Sequence, residues 1–338
     1  MGLRARRFGG SGIALLCLAA AIAGCGSSSS SSTSKAGSAS ASAEKTLIVF
    51  GAGTLANPFA EEIAAFKTMH PGITIHSDFS ASGDRVKAIT QLGEPDDVLG
   101  VADYSLIPAE MFGASGAKRF ATWYVGFVSN QITFAYTAHS KGANQLTPSN
   151  WYRILAEPGV HIGRSNPAAD PSGYQILQML KLAQGYYHDP SISASVLKNS
   201  PDSSEAETET SLIAALQSGQ IGYLAVYRSD ALQNHFKYIN LPPQISLSDP
   251  ALAKTYATVT TQGATSSAVT GKPIIYALTV PTNAPDPTLG EQFVKFVISP
   301  KGQAIMRANG FRVLSPALAS SESKLPASLR PLTKRWTG

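Results

Sequence analysis

Apolar residues along the chain recur with two alternating periods, that of a strand and that of a helix. The run "TLIVFGAG" is a short apolar strand that ends in glycines. In "NPFAEEIAAFKTMHPG", which follows, Phe59, Ile63 and Phe66 share one helical face. Asn57 is expected to cap this helix, with Pro58 at its first position.

The same pair of elements follows again. "ITIHSDFSAS" is expected to be a strand and "GDRVKAITQLG" a helix, with Ser82 as its cap and Gly93 as its stop signal; "DDVLGVAD" then supplies a third strand. Strands and helices that alternate at this length predict an α/β fold with a parallel sheet covered on both faces.

The pattern of the later part predicts a second lobe. A long apolar strand, "WYVGFVSNQITFAYTA", is succeeded by a new group of helices and strands. Late in the chain, "KPIIYALTVP" is again a strand, and "TLGEQFVKFVISPKGQAIMRANG" is a helix that should bend at Pro300. We expect the chain to enter the second lobe near residue 130 and to return near residue 275, so that two strands form a hinge and the ligand lies in the cleft.

The N-terminal segment has the pattern of an export signal. In "MGLRARRFGGSGIALLCLAAAIAGC", arginines precede an apolar run that is too short to span a bilayer and that ends on small residues. "IAGC" resembles the lipobox of bacterial lipoproteins, which implies cleavage before Cys25 and a lipid anchor on its thiol, on the extracytoplasmic side of the cell membrane. The alternative is a cleavable signal that ends at a chance cysteine.

These patterns together predict the domain layout. The parts, in chain order, are a lipoprotein signal peptide (1–24), a lipidated Cys25 with a Ser-rich tether (25–45), lobe 1 (46–130 with 275–319), lobe 2 (131–274) and a loosely ordered tail (320–338).

Cysteine content and charge exclude several classes of site. The other cysteine, Cys17, lies inside the signal, so the exported part has no disulfide, no thiolate metal site and no cysteine nucleophile. Removing the arginines of the signal lowers the net charge from +5 to about +2. Basic residues are dispersed apart from Lys334 and Arg335, and we expect no nucleic-acid partner.

Four places share one chemical pattern, in which a strand ends, small hydroxyl or acidic residues follow, and a helix begins. A helix N-terminus offers free N–H groups and the positive end of a dipole, so it accepts an anion without a cationic side chain. If the four places converge, they form an oxyanion cage; the alternative at each is an ordinary helix cap, which at Asp170 is supported by Pro171. The places are centred on Thr54, on Ser80 and Ser82, on Asp170, and on Glu209 and Thr210.

The order of several motifs carries a family resemblance. "LIVFGAGTLANPF", "ASGDRVKAITQLGEPDDVLGVADYSLIP", "NWYRIL", "DPSGYQ", "ETSLIAALQSGQIGYLAVYRS", "KYINLP" and "PIIYALTVPTNAP" together resemble the tungstate/molybdate-binding proteins of ABC importers over residues 46 to 317. The resemblance implies a periplasmic-binding-protein fold of class II. It also implies that the captured oxyanion is delivered to a membrane permease and its ATPase, with no cofactor.

The resemblance also implies the site residues. Thr54 and Ser82 would bind the oxyanion through their hydroxyls, Tyr227 would face it, and Asp170 and Glu209 would bring carboxylates to its metal centre. A hexavalent metal is a hard Lewis acid that favours oxygen ligands. Two added carboxylate oxygens would take a tetrahedral oxyanion toward six-coordination, whereas sulfate would gain nothing.

The chain departs from the family pattern just before Glu209. Where an Arg-Pro-Lys run usually stands, this chain has Ala206, Glu207 and Thr208. Glu207 or Glu205 therefore competes with Glu209 for the ligand role, and Glu209 has the alternative of a solvated acid in the first turn of a helix. Core positions are likewise the alternatives for two tyrosines, Tyr227 and Tyr174.

Rival functions leave weaker signals. The chain contains no G-x-S-x-G elbow, H-E-x-x-H helix or phosphate-binding Gly-rich loop, and its six histidines are dispersed, so we expect no enzyme. An exported hydrolase, a structural lipoprotein, and a binder of sulfate, phosphate or a small organic acid remain alternatives. For phosphate, Asp170 would accept the ligand's proton. We expect a monomer that binds one oxyanion.

Overall fold

The computed structural model describes residues 45–113, 117–263 and 268–336, and the predicted signal, Cys25 and nearly all of the tether lie outside them. The strands are β1 (Lys45–Ala52), β2 (Ile73–Ser80), β3 (Val98–Val101), β4 (Val125–Ser129), β5 (Ile132–Tyr136), β6 (Ile162–Ser165), β7 (Glu205–Ala206), β8 (Tyr223–Tyr227), β9 (Lys237–Tyr238), β10 (Thr260–Gln262), β11 (Ala268–Thr270), β12 (Ile275–Thr279), β13 (Arg312–Ala319) and β14 (Thr333–Arg335). The helices are α1 (Ala56–Met69), α2 (Ser82–Thr90), α3 (Leu106–Glu110), α4 (Trp151–Leu155), α5 (Pro171–Tyr186), α6 (Ile192–Leu197), α7 (Ile213–Gln217), α8 (Arg228–Gln233), α9 (Pro243–Ser246), α10 (Ala253–Tyr256), α11 (Pro287–Val297) and α12 (Pro300–Ala308).

Two sheets form two lobes. The sheet of lobe 1 has seven strands in the order β14-β13-β4-β12-β3-β1-β2, and that of lobe 2 has five in the order β7-β6-β8-β5-β9. The expected two-lobed α/β architecture is confirmed. The prediction of a parallel sheet is right for β1, β2 and β3. It is wrong at β12, which returns from the other lobe and runs antiparallel to both of its neighbours, and at the pair of β4 with β13.

The chain crosses between the lobes at two adjacent places. The sequence from 123 to 138 predicts one strand, but the structure divides it into β4 of lobe 1 and β5 of lobe 2, with Asn130 and Gln131 between them. The second crossing leads into β12 through Ile274. The Asn130 N–H donates to the Ile274 carbonyl at 3.3 Å, so the two crossings are hydrogen-bonded to each other.

Aromatic side chains hold the helices of lobe 1 on its sheet. Phe59 and Phe66 of α1 are buried, as their helical spacing predicts, and both contact Phe293 of α11 edge to face, with ring centroids 5.8 and 5.2 Å apart. Burying such a ring contributes about 2 kcal/mol. This packing fixes the start of α1, which follows directly on the first of the predicted oxyanion turns.

Two predicted helix caps are wrong. Helix α1 already begins at Ala56, so Asn57 lies inside it, and its side-chain amide donates to Gln233 Oε1 at 3.0 Å. Helix α2 begins at Ser82, whose hydroxyl accepts a hydrogen bond from the Ala102 N–H at 3.1 Å instead of capping. In both cases the side chain that was expected to cap the helix hydrogen-bonds instead to a residue distant in the sequence.

Two other predictions about helix ends are confirmed. Asp170 caps α5, with Pro171 as the first helical residue. The late helix is interrupted just before Pro300, where α11 ends and α12 begins with Ser299 as its cap.

The end of the chain is ordered as far as residue 336, which corrects the expectation of a loose tail. Strand β14 pairs in parallel with β13 at the edge of the lobe 1 sheet. Leu325 and Leu329, which are 2% and 0% exposed, lie in the core between these strands. The Ser- and Pro-rich composition of the segment obscures these two apolar positions. Within the described ranges, none of the helices is both long and apolar enough to cross a membrane.

Candidate functional site

The strand register of lobe 1 brings two predicted site residues to one edge. β1 and β2 are parallel and in register, with Ala52 opposite Ser80 at their carboxyl ends. Thr54 and Ser82 each follow two residues later. Ligands of open α/β sheets bind outside the carboxyl ends of parallel strands, which is where both hydroxyls lie.

Lobe 2 presents the other three residues in the same way. Its parallel strands β7, β6 and β8 are neighbours. Asp170 follows β6, Glu209 follows β7, and Tyr227 is the last residue of β8. All three side chains are buried.

Asp170 is held by donors from its own helix and strand. Its Oδ2 accepts from the Ser172 N–H at 3.1 Å, and it lies 2.6 Å from Ser172 Oγ and 3.3 Å from Ser165 Oγ. Gly173 is required for this turn, because a Cβ there would stand 2.6 Å from the Ser165 carbonyl oxygen and 2.7 Å from the Pro167 nitrogen.

Ser172 joins Asp170 to Glu209. Its hydroxyl lies 2.7 Å from Glu209 Oε2, 2.6 Å from Asp170 Oδ2 and 2.5 Å from Ser165 Oγ. Three such contacts require three protons, and the two serine hydroxyls supply only two. A proton shared by Asp170 and Glu209 would supply the third.

The electrostatics of the pair agree with this count. Asp170 is 4% exposed and Glu209 is 1% exposed. Burial raises the pKa of Asp170, and burial together with the charge of Asp170 raises the pKa of Glu209 well above its ordinary value. The ion pairs within the described residues include neither carboxyl. Glu209 Oε1 is buried without a hydrogen-bond partner.

A hydrogen bond and a ring contact link Thr54 to two tyrosines of the cleft. Thr54 Oγ1 donates to the Tyr276 hydroxyl at 3.0 Å, and the rings of Tyr276 and Tyr227 meet edge to face with centroids 5.7 Å apart. The Tyr227 hydroxyl donates to Gln175 Oε1 at 2.8 Å. Tyr227 is thus a buried strand residue, and its hydroxyl bonds to a side chain of α5.

Direct contacts close the lobes over these residues. The Gly83 N–H, next to Ser82, donates to the carbonyl of Ala169, next to Asp170, at 3.2 Å. On the other side, a Cβ on Gly53 would stand 3.0 Å from Thr210 Oγ1. The turn of Thr54 therefore touches that of Glu209, and the turn of Ser82 touches that of Asp170, so all four predicted turns converge.

Of the three competing glutamates, the structure brings only Glu209 to Asp170. Glu207 Oε1 accepts from the Ser80 hydroxyl at 2.7 Å in an exposed interlobe contact. Glu205 pairs with Arg164. Glu209 is also not the solvated first-turn acid that was its alternative, since it is buried.

Sequence reasoning missed several residues at the site. Ser172 had a detectable signal, because a serine two residues after a capping aspartate commonly bonds to it. Ser165, Tyr276 and Asp230 had no such signal: they come from a strand end, from the returning strand β12 and from the short helix α8, and only tertiary structure brings them together. Tyr174, left as a core alternative, is buried and donates to Asp103 Oδ2 at 2.7 Å.

The arrangement can hold an oxyanion by neutral donors and can offer two carboxylate oxygens to its central atom. In the described part of the chain, no three His, Cys, Asp or Glu side chains are grouped so as to hold a metal ion. The chemistry of the site is therefore that of hydroxyls, backbone N–H groups and a proton-sharing acid pair.

Sequence comparison assigns the family. Residues 47–312 match the family of bacterial extracellular solute-binding proteins. The chain belongs to this family.

Curated relatives of this solute-binding protein cover most of its length. The molybdate/tungstate-binding protein WtpA of Pyrococcus abyssi (strain GE5 / Orsay) is 35% identical over 300 residues, which are 81% of this chain and 86% of that protein. A solute-binding protein of Petrotoga mobilis (strain DSM 10674 / SJ95), described as uncharacterized, is 36% identical over 293 residues, 85% of this chain and 90% of the relative.

Solved structures share the fold at lower identity. The periplasmic molybdate-binding protein of Azotobacter vinelandii superposes with a TM-score of 0.56 at 18% identity, covering 78% of this chain and 98% of that one. The sulfate-binding protein SubI of Mycobacterium tuberculosis has the same TM-score, 0.56, at 14% identity, covering 85% and 90%. Because these two bind different oxyanions by name, the likeness establishes the two-lobed fold of this solute-binding protein and leaves the ligand to the chemistry of the site.

Proposed function

We propose that this solute-binding protein captures tungstate or molybdate between its lobes and delivers it to an ABC importer. The named relatives that are at least 33% identical over more than four fifths of the chain bind molybdate or tungstate. The ligand residues of the proposal are Thr54, Ser82, Asp170, Glu209 and Tyr227, at the carboxyl ends of strands that face each other across the cleft.

The observation that carries the proposal is the pair formed by Asp170 and Glu209. Two carboxyls, buried side by side without a cation, cost stability in the free protein. They repel an ordinary oxyanion unless its central atom accepts their oxygens. Molybdenum(VI) and tungsten(VI) are hard centres that can raise their coordination number, whereas the sulfur of sulfate cannot, so the pair favours the first two ligands.

The proposal extends to the setting of the protein. Residues 1–24 would be an export signal, Cys25 would carry a lipid, and residues 25–45 would tether the lobes to the extracytoplasmic face of the cell membrane. The partners would be a permease and its ATPase, with a monomer binding one oxyanion and neither a cofactor nor catalysis involved. Lobe 1 would comprise 46–130 with 275–319, and lobe 2 would comprise 131–274.

Isothermal titration of the purified chain with sodium tungstate, molybdate, sulfate and phosphate tests the proposal. We expect one-to-one binding of tungstate and molybdate with a Kd of about 1 μM or below, and affinity for sulfate lower by about 100-fold or more. Preference for sulfate or phosphate would overturn the choice of ligand. If none of the four oxyanions binds, the proposal that the solute is one of these oxyanions is overturned.

A further inference from the structure

A third buried carboxyl stands beside the cleft. Asp230, in the first turn of α8, is 3% exposed. Its Oδ2 is buried without a hydrogen-bond partner. A buried polar atom without a partner costs stability, about 1–3 kcal/mol, and a ligand that supplied the missing partner would remove this cost.

Geometry places Asp230 at the two turns that converge from opposite lobes. It lines a cavity of about 460 Å³ together with Gly53, which precedes Thr54, and Thr210, which follows Glu209. On its other side, the Ser229 hydroxyl accepts from Asn130 Nδ2 at 2.8 Å, and the same amide lies 3.5 Å from the Tyr276 hydroxyl. Asp230 therefore adjoins both the Thr54 and the Glu209 sides of the site.

The groups that face Asp230 are acidic or neutral. Within lobe 2 these are Asp170 and Glu209, and across the cleft it is the Tyr276 phenol. Burial first, and then the charge of Asp170, raises the pKa of Asp230, while the charge of Asp230 in turn contributes to the raised pKa of Glu209 and of Tyr276.

The strands packed against α8 bring no cation to this carboxyl. β8 contributes Tyr227, whose hydroxyl is bonded to Gln175, and β5 contributes Tyr136, which packs on Tyr223. β9 carries the exposed Lys237, and Tyr238, which accepts from Arg228 of the same helix α8. Among the described residues Asp230 takes part in no ion pair.

We propose that Asp230 is a further ligand-binding residue, which keeps its proton and donates it in a hydrogen bond to an oxygen of the captured oxyanion. The proposal rests on the function proposed above. A carboxylic acid in this position adds a donor without adding charge. It therefore selects oxyanions that are fully deprotonated near neutral pH, such as tungstate and molybdate, over hydrogen phosphate, whose own proton would need an acceptor.

Two substitutions test whether the Asp230 side chain acts as a hydrogen-bond donor to the ligand. Asp230→Asn keeps the size and supplies an N–H donor that does not ionise, whereas Asp230→Ala removes the donor. The control is Asp189→Asn, the same change at a half-buried aspartate of lobe 2 whose carboxylate accepts from the N–H and hydroxyl of nearby Ser191. Thermal unfolding followed by circular dichroism verifies that each variant folds.

Titration calorimetry with sodium tungstate, from about pH 6 to about pH 9, provides the measurement. At the acidic end we expect Asp230→Asn to bind within about 2-fold of the unmodified chain and Asp230→Ala to bind about 10-fold more weakly. As pH rises, the unmodified chain should lose affinity relative to Asp230→Asn, because only its carboxyl ionises and repels the ligand. Taking the ratio of the two Kd values cancels the pH dependence of the rest of the site.

The outcomes distinguish this inference from the function on which it rests. Equal affinity of all three chains would place Asp230 outside the ligand shell. An Asn variant as weak as the Ala variant would show that an N–H donor at this position does not serve the ligand. Either result overturns the inference and leaves the oxyanion function standing. If the unmodified chain binds none of the four oxyanions, both this inference and the proposed function are overturned.

Discussion

Tyr174 of lobe 2 donates a hydrogen bond to Asp103 of lobe 1 at 2.7 Å, and both side chains are fully buried. Asp103 also lies 3.5 Å from Lys272 Nζ, beside the second crossing between the lobes. Burial alone would raise the pKa of Asp103, but Lys272 and the hydrogen bonds from Ser105 and Tyr174 lower it. The contact thus joins a charged acceptor of one lobe to a helix of the other.

Removing this hydroxyl should favour the open form. For Tyr174→Phe we expect tungstate affinity to fall about 10-fold, because a hydrogen bond to a charged group contributes about 1.5–3 kcal/mol and is made only when the lobes are closed. Small-angle X-ray scattering of the ligand-free chain should give a larger radius of gyration for the variant.

The control for this prediction is Tyr223→Phe. That tyrosine donates to the Lys141 carbonyl within lobe 2, at 2.5 Å. Its loss should lower the free energy of unfolding without changing the radius of gyration. If both variants scatter alike, the bond between Tyr174 and Asp103 does not control closure.

Isosteric changes should separate the ligand role of the acid pair from its structural role. Asp170→Asn keeps an oxygen that can cap α5, and Glu209→Gln keeps the side-chain volume. We expect each to weaken tungstate binding by about 100-fold while the free energy of unfolding changes by about 1 kcal/mol or less. Denaturant titration and calorimetry measure the two quantities, and undiminished affinity in the double variant would contradict ligation by these carboxylates.

The proton shared by Asp170 and Glu209 should leave when tungstate binds. Both carboxyls offer their oxygens to the metal centre in the proposed complex, and a protonated oxygen is a poor ligand. Near neutral pH we expect release of about one proton per tungstate, so affinity should rise with pH until the raised pKa of the pair is passed. Calorimetry in buffers of different ionisation enthalpy counts the protons, and the count should fall to about zero in Glu209→Gln.

The turn at Gly173 should not tolerate a methyl group. Its Cβ would meet backbone atoms of the Ser165–Pro167 segment, which cannot move aside without displacing Asp170. We expect Gly173→Ala to lower the free energy of unfolding by about 1–3 kcal/mol and to weaken tungstate binding. Gly185→Ala, in the same helix with open space around it, should instead stabilise the chain by about 0.5–1 kcal/mol. Denaturant titration compares the two; equal effects would contradict the close approach.

Glu62 should make stability depend on pH. It is fully buried on α1, its two oxygens have no hydrogen-bond partner, and burial, with a smaller effect of Glu61, raises its pKa from 4.5 to about 8. Because the folded state holds this proton more tightly, its contribution to stability is complete below the unfolded pKa. That contribution is lost as pH rises from about 4.5 to about 8.

Glu62→Gln should remove this pH dependence and raise the free energy of unfolding at pH 8 by about 3 kcal/mol. Glu61→Gln, an exposed neighbour whose Oε1 accepts from Asn309 at 3.1 Å, serves as the control and should keep the slope. Chemical denaturation between about pH 4 and about pH 8 measures both. A slope as steep in Glu62→Gln as in Glu61→Gln would assign the effect to other buried acids whose pKa is raised, among them Asp96 and the acids of the cleft.

The sequence predicts which residues lie at the site better than it predicts what each of them bonds to. The four turns converge because the register of β1 with β2, and of β6 with β7 and β8, brings strand ends together, and alternation of strands and helices predicts this. Asn57 and Ser82 were mistaken for caps because each has a partner from a distant segment. Asp230 lies on a short helix with no ligand motif, so its proximity to Glu209 depends on packing alone. The ordered end of the chain was missed because two leucines in a polar segment carry little periodic signal.

The hydrogen bond from Asn130 to the Ile274 carbonyl determines how the cleft can move. A hydrogen bond between the two crossings resists sliding of one past the other and favours rotation of the lobes about an axis near it. Rotation displaces atoms in proportion to their distance from the axis. The rim of the cleft far from the crossings therefore moves most, and the crossings move least. The side-chain amide of Asn130 also donates to Ser229 and lies beside the Tyr276 hydroxyl. The crossing is therefore connected through one side chain to Tyr276, which also accepts from Thr54, so a change at the predicted oxyanion turn of lobe 1 can reach the hinge.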